Sequence, residues 1–108
     1  MISPTSSLNQ LQAHVAQAEQ ERGFQAQSAA DKCLLLGEEV GELFKAVRKA
    51  SGLTIDPHSQ IGDVGNELAD ILNYVLAIAN RYHIDLGEAF ANKEAVNQTR
   101  TWIVSPSP

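Results

Sequence analysis

Apolar residues recur every three or four positions through most of this chain, which is the spacing typical of amphipathic α-helices. Four such stretches are separated by short segments rich in Gly, Ser, Asp and Pro, residues that interrupt helices. No stretch alternates apolar and polar residues with a period of two, so no strand is predicted. The predicted helices cover residues 7–22, 29–50, 61–83 and 86–101. The pattern therefore predicts an all-α, four-helix bundle.

Local sequence signals set the ends of these helices. Gly23 and Gly52 are placed to end the first and second helices, because glycine readily adopts the left-handed conformation of a helix C-terminus. Asp85, with Glu88 three residues later, has the spacing of a capping box at the start of the fourth helix. Residues 53–60 contain an Asp-Pro step and are predicted to form a loop.

Composition fits one helical domain. The chain has 108 residues, of which 44% are hydrophobic and only 6% are aromatic. This balance favours helices built on Leu, Ala, Val and Ile over a β-sandwich. We expect a single domain over residues 1–108, with its core in about residues 7–102 and frayed Ser/Pro-rich ends at residues 1–5 and 104–108.

The charge balance narrows the possible partners. A formal net charge of −5, from 13 acidic and 8 basic residues, gives no basic surface for duplex nucleic acid. The single Cys33 cannot form an internal disulfide and is expected to be a small core residue. No segment resembles a signal peptide or a membrane span, so we expect a cytoplasmic protein that does not contact the membrane.

Acidic residues border the expected core of the second helix. On a helical wheel the core stripe consists of Leu36, Val40, Leu43 and Val47. Glu39 and Glu42 share the next row with apolar residues, so both acids border the core. Glu38 lies nearer the outer face, which Lys45 and Lys49 mark.

The third predicted helix has the same design. Its apolar arc consists of Val64, Leu68, Ile71, Leu72, Val75 and Ala79. The row at the edge of this arc consists of Asp63, Glu67, Asp70 and Tyr74. Two packed helices with such rows would gather carboxylates around one point, where they repel one another unless a cation neutralises them. Mg²⁺ is a hard cation that prefers oxygen ligands, so the acids are candidates for a magnesium site. The alternative to a metal site is an acidic helix face that is simply solvated.

The acids form an ordered motif, Glu38-Glu39-x-x-Glu42 followed by Glu67-x-x-Asp70. Further matching segments are Glu21-Arg22-Gly23-Phe24 before the motif and Lys93, Asn97, Arg100 and Trp102 after it. This set resembles the MazG-like, all-α nucleoside triphosphate pyrophosphohydrolases, whose hallmark is Glu-Glu-x-x-Glu followed by Glu-x-x-Asp. The resemblance covers roughly residues 8–102.

The resemblance implies a fold, a reaction and a metal. The fold is a four-helix MazG-like bundle that assembles as a homodimer or as a dimer of dimers, a homotetramer. The reaction is Mg²⁺-dependent cleavage between the α- and β-phosphates of a nucleoside triphosphate, in a role such as clearing unwanted nucleotides; Mn²⁺ is the expected substitute for Mg²⁺. Carried over by position, the implied metal ligands are Glu39, Glu42, Glu67 and Asp70.

Other polar residues are expected to act on the phosphates. Glu38, beside the implied ligands but apart from them, is the candidate catalytic residue that orients or deprotonates the attacking water. Its alternative role is a surface partner of a nearby cation. Lys93 and Arg100 match the family's closing segment and are expected to bind phosphate, with Asn97 bonding a phosphate or the sugar. Solvated charge on a terminal helix is their alternative.

Three aromatic residues are candidates for the nucleoside. Tyr74 continues the acidic row, so it is expected to contact the sugar or a phosphate. Phe24 and Trp102 are expected to stack on a base. Packing within the protein is the alternative role for each of the three.

Two other functions stay open on the sequence. A related all-α dUTPase or phosphoribosyl-ATP pyrophosphohydrolase would use the same acids on another substrate. A helical module that binds a nucleotide or a protein without catalysis is the alternative from a different class. The chain lacks the Glu-x-x-His pairs of ferritin-like di-iron bundles and has no P-loop, which argues against those two sites.

Overall fold

A computed structural model describes residues 1–53 and 56–103. Its helices are α1 (Leu8–Arg22), α2 (Ala29–Ala50), α3 (Val64–Arg81) and α4 (Leu86–Gln98). The described ranges contain no strand, and the prediction of an all-α, four-helix fold is confirmed. Part of the loop predicted over residues 53–60, and the C-terminal end predicted to fray, lie outside the described residues.

The first two helices begin close to the predicted residues, and a side-chain cap precedes each of them. The Ser7 hydroxyl accepts a hydrogen bond from the Gln10 amide, and the Gln10 side chain accepts one from the Ser7 amide. Ser28 and Asp31 form the same reciprocal pair at the start of α2. Gly23 ends α1 with φ +77°, a left-handed conformation that glycine adopts without steric cost.

The third and fourth helices are shorter than predicted. Asp63 has extended backbone angles, and its carboxylate accepts the Asn66 amide at 2.8 Å, so it caps α3 from outside the helix. At the other end, His83 has φ +54°, which the right-handed helix cannot contain. Asp85 caps α4 as predicted, but among the described residues the Glu88 side chain makes no return bond that would complete the capping box. The Thr99 hydroxyl donates to the Val96 carbonyl just past the early end of α4.

Helix α3 is the centre of the fold. It packs against α2 on one side and against α1 on the other. A small core of Val15, Leu76 and Ala77 joins α1 to α3. The side chain of Gln12 on α1 fixes the turn before α4, because it donates to the Ile84 carbonyl and accepts from the Leu86 amide.

Much of the expected apolar surface of α2 and α3 stays open to solvent. The wheel predicted that Val47, Leu68 and Leu72 would be in the core, but they are 45%, 51% and 39% exposed. Phe44 and the predicted core residue Cys33 are exposed as well. The physical reason is that α1 covers only part of α3 and α4 packs mainly on α1, so none of the four described helices covers these positions.

The chain is accordingly open in shape. Its radius of gyration is 17.2 Å, whereas a compact domain of this length would have about 13 Å. Few large side chains are buried, and Leu76 is the most completely enclosed of them. Within the described ranges, no helix has the length and apolar character needed to cross a membrane.

Candidate metal centre

Three of the acids meet between α2 and α3. One carboxylate oxygen from each of Glu39, Glu67 and Asp70 lies within 4.8 Å of the other two. Glu39 is on α2, and Glu67 and Asp70 are one turn apart near the start of α3. Because α2 and α3 pack side by side along their lengths, the spacing within each helix brings the two acidic rows to the same level.

The carboxylate of Glu67 lies close to the backbone that precedes α3. It is 8% exposed, and its carboxylate lies directly over Gly62. An ideal Cβ placed on Gly62 would overlap Oε1 of Glu67 and lie 3.3 Å from Cδ. The close approach of the Glu67 carboxylate therefore requires a residue without a side chain at position 62.

Crowding and burial raise the pKa of Glu39. Removal of its carboxyl group from water is the largest cause, followed by its hydrogen bond with Glu67 and by the negative charges of Asp70, Glu67 and Glu42. A pKa raised in this way means that the ionised cluster is electrostatically unfavourable without a positive charge. Three converging carboxylates of this kind fit a hard divalent cation such as Mg²⁺.

The other two acids of the motif are placed differently. Glu42 is half-buried one turn further along α2 and lies outside the three-residue group, with an oxygen 3.6 Å from Nζ of Lys45. Glu38 is exposed beside Glu39. The structure therefore brings together three of the four predicted ligands.

Tyr74 lies between the carboxylate cluster and Lys32, which is near the start of α2. The pKa of its hydroxyl is raised by burial and then by the charges of Glu39, Asp70 and Glu38. The face of its ring lies 5.6 Å from Nζ of Lys32. Tyr74 thus continues the acidic row as predicted and is half-buried.

Sequence reasoning missed a buried charge network next to Tyr74. The Glu19 carboxylate on α1 pairs with Lys32 of α2 at 3.2 Å and with both terminal nitrogens of Arg81 of α3 at 2.8 and 2.7 Å. Lys32 is only 4% exposed and Glu19 is 8% exposed. Burial opposes ionisation of Glu19, but hydrogen bonds from Arg81 and Lys32 outweigh it and lower its pKa. The only sequence signal was the position of Lys32, seven residues before Glu39 on the same helical face.

The same network fixes the connection between α1 and α2. Arg81 donates from Nε to the Gln27 carbonyl at 2.7 Å and from Nη2 to the Phe24 carbonyl at 3.1 Å. The ring of Phe24 lies 4.9 Å from Nζ of Lys32. Phe24 is 40% exposed, so part of this residue is accessible to solvent.

The predicted residues of the closing segment lie elsewhere in this protomer. Lys93 and Asn97 are on α4, Arg100 and Trp102 follow it, and α4 packs mainly on α1. Among the described residues, no side-chain hydrogen bond or ion pair joins any of these four to the carboxylate cluster. Trp102 is 70% exposed.

The all-α fold and its three converging carboxylates can be compared with known protein families. The model of the MazG nucleotide pyrophosphohydrolase domain matches residues 33–100, and the chain belongs to this family. The earlier resemblance is thereby confirmed, and the protein is a hydrolase of the nucleotide pyrophosphohydrolase family.

Solved structures agree with this assignment. The chain is similar to iMazG from Vibrio DAT 722, with 28% identity and a TM-score of 0.64 over 89% of this chain and 98% of the N-terminally tagged protein. The C-terminally tagged form gives the same identity and TM-score over 87% of this chain and 100% of that one. No protein with a curated function matches the chain.

Proposed function

We propose that this protein is a Mg²⁺-dependent nucleoside triphosphate pyrophosphohydrolase that cleaves between the α- and β-phosphates. The products are a nucleoside monophosphate and pyrophosphate. The observation that supports this most directly is the convergence of Glu39, Glu67 and Asp70 from the family motif onto one point. A role in removing unwanted nucleotides from the cellular pool is part of the proposal.

Four acids would hold the metal in this proposal. Glu39, Glu67 and Asp70 already converge, and Glu42 reaches the group by exchanging its exposed contact with Lys45 for the metal. The side chains of Lys45 and Glu42 are 51% and 40% exposed, and partly exposed pairs of this kind contribute little to stability. When bound, Mg²⁺, or Mn²⁺ in its place, neutralises the triphosphate and polarises the phosphorus that water attacks.

Glu38 is the proposed catalytic residue. Its exposure next to Glu39 leaves its carboxylate free to accept a proton from the attacking water. We expect Glu38→Gln to bind metal normally and to lose turnover, whereas Glu67→Gln loses both. Isothermal titration with Mg²⁺ and a pyrophosphate-release assay measure the two properties, and equal loss of metal binding by both variants would contradict this division of roles.

The active form is proposed to be a homodimer or homotetramer. The exposed apolar side chains of α2 and α3 and the large radius of gyration support this. In such an assembly Lys93, Asn97 and Arg100 bind the outgoing phosphates at the site of a neighbouring subunit, because α4 lies apart from the carboxylates of its own chain. Trp102 stacks on the base there.

The deciding experiment is pyrophosphate release from a panel of canonical and modified nucleoside triphosphates, with Mg²⁺ and with EDTA. Wild type is expected to release pyrophosphate only with metal, and Glu67→Gln is expected to release none. Preference for dUTP or for phosphoribosyl-ATP would replace the proposed substrate with that of a related enzyme. A folded, metal-binding protein without any release would instead support a non-catalytic binding module.

A further inference from the structure

The Glu19–Lys32–Arg81 network lies at the end of the α2–α3 contact away from the carboxylates. Lys32 precedes Glu39 by seven residues, which is about 10 Å along a helix. This is of the order of the distance from the phosphates to the base of a nucleotide. A substrate with its phosphates at Glu39, Glu67 and Asp70 would therefore place its nucleoside near Lys32 if it lay along α2.

Two aromatic rings lie close to Lys32, in the part of the α2–α3 contact where the nucleoside would lie. Nζ of Lys32 lies 4.9 Å from the Phe24 centroid and 5.6 Å from the Tyr74 centroid, both within the range of cation–π attraction. Phe24 comes from the α1–α2 connection, whereas Tyr74 comes from α3. The ammonium group of Lys32 thus contacts both rings, although the rings belong to different parts of the fold.

Stability alone does not account for this arrangement. A buried ion pair is often no more stabilising than apolar side chains of the same size, because both charges lose their hydration. Here two cations share one carboxylate, and Arg81 uses its remaining donors on the carbonyls of Phe24, Gln27 and Ala77. The geometry that results is specific: it fixes the loop of Phe24 to α3.

We propose that Lys32 and Arg81 are positioning residues for the nucleoside of the substrate, because through Glu19 they hold the partly exposed ring of Phe24, beside Tyr74, at the edge of the nucleoside-binding site. The inference rests on the proposed function, since it needs a nucleotide at the carboxylate cluster. Neither cation touches the phosphates. Their loss should therefore weaken recognition of the nucleoside and leave recognition of the triphosphate unchanged.

The test compares a nucleotide with a triphosphate that has no nucleoside. Binding of α,β-imido deoxynucleoside triphosphates and of inorganic tripolyphosphate is measured by calorimetry with Mg²⁺. Lys32→Met and Arg81→Lys are each expected to weaken nucleotide binding about tenfold. Tripolyphosphate binding is expected to change less than about twofold. Lys32→Arg, which keeps the cation between the rings, is expected to restore most of the nucleotide affinity.

Two further variants keep the inference falsifiable if a network variant fails to fold. Phe24→Leu removes a ring that is 40% exposed, and it should reproduce the selective loss of nucleotide affinity. Asn73→Ala is the control, because Asn73 lines a separate cleft of about 360 Å³ between α1 and α3 that also reaches Asp70. A selective loss in Asn73→Ala, with none in Phe24→Leu, would place the nucleoside in that cleft and overturn the inference.

The remaining outcomes are equally distinct. Parallel loss of nucleotide and tripolyphosphate binding in Lys32→Met would show that the network supports the metal end of the site, and it would also overturn the inference. Unchanged nucleotide binding in folded Lys32→Met and Arg81→Lys would show a purely structural network. Wild type that binds the analogue but cleaves no nucleoside triphosphate would contradict the proposed function alone.

Discussion

Replacing Gly62 with alanine should disable the carboxylate cluster without harming the fold. The added Cβ would overlap Oε1 of Glu67 and lie 3.3 Å from its carboxyl carbon. The backbone of Gly62 is not left-handed, since the positive-φ glycines are Gly23 and Gly52. Alanine therefore fits the local conformation, and the overlap is relieved by movement of the Glu67 side chain.

The size of that movement sets the expected effect. Ordinary contact between a methyl group and an oxygen requires the carboxylate to shift by roughly 1 Å. Metal–ligand distances are tolerated only within about 0.2 Å, and a misplacement of about 1 Å can cost about 100-fold in rate. Stability should hold or rise by about 0.5 kcal/mol, because alanine restricts the unfolded chain more than glycine does.

Three measurements on Gly62→Ala test this reasoning. They are the thermal midpoint without metal, the affinity for Mg²⁺ and the rate of pyrophosphate release. Gly65→Ala is the matched control, because its Cβ would meet only Asp63 Oδ1 at 3.3 Å and no carboxylate of the cluster. We expect the control to keep both metal affinity and rate. Normal Mg²⁺ affinity and normal release in folded Gly62→Ala would refute the link between this glycine and the position of Glu67.

Three other predictions concern metal, acid and assembly. Mg²⁺ at 100 times its Kd should stabilise the protein by about 2.7 kcal/mol. The Mg²⁺-induced rise in melting temperature should be smaller at pH 5 than at pH 7, because the raised pKa of Glu39 lets protons compete with the metal at a higher pH than at an ordinary glutamate. An equal rise at both pH values would contradict this. Glu19→Gln should lose about 3 kcal/mol at neutral pH. Because the pKa of Glu19 is lower in the folded state than its ordinary 4.5, its stabilisation exists above 4.5 and disappears as the pH falls through the folded-state value. Urea denaturation should therefore show the gap between variant and wild type closing in acid, and a constant gap would mean that packing explains the loss. Leu68→Lys, at a position 51% exposed, should shift size-exclusion chromatography toward the 11.7 kDa protomer; an unchanged elution volume would exclude this face from the interface.

Local chemistry explains which parts of the fold the sequence predicted. Gly23 and Asp85 bond to backbone groups three or four residues away in the sequence, so their capping roles follow from spacing alone. Asp63 was harder to place, because an acid favours both the first turn and the N-cap position. Its carboxylate bonds the Asn66 amide, which starts α3 three residues later than the periodicity suggested.

Long-range contacts explain what the sequence could not supply. The wheel correctly placed Glu39, Glu67 and Asp70 at the edges of two apolar arcs, and packing of α2 on α3 brings them together. It could not show that Leu68 is open, because a wheel defines an apolar face but not what covers it. Glu19 and Arg81 are 62 residues apart, and no local pattern relates them.

The shared carboxylate of Glu19 has a consequence for how this sequence can diverge. Loss of Glu19 alone leaves Lys32 and Arg81 without their shared partner, at a cost of about 3–5 kcal/mol, a large part of the stability of a small domain. Loss of one cation instead leaves Glu19 paired with the other. Replacement of all three by apolar residues would remove that penalty. Homologues should therefore lose Glu19 only together with Lys32 and Arg81, and homologues that have lost all three residues should also differ in the base they accept.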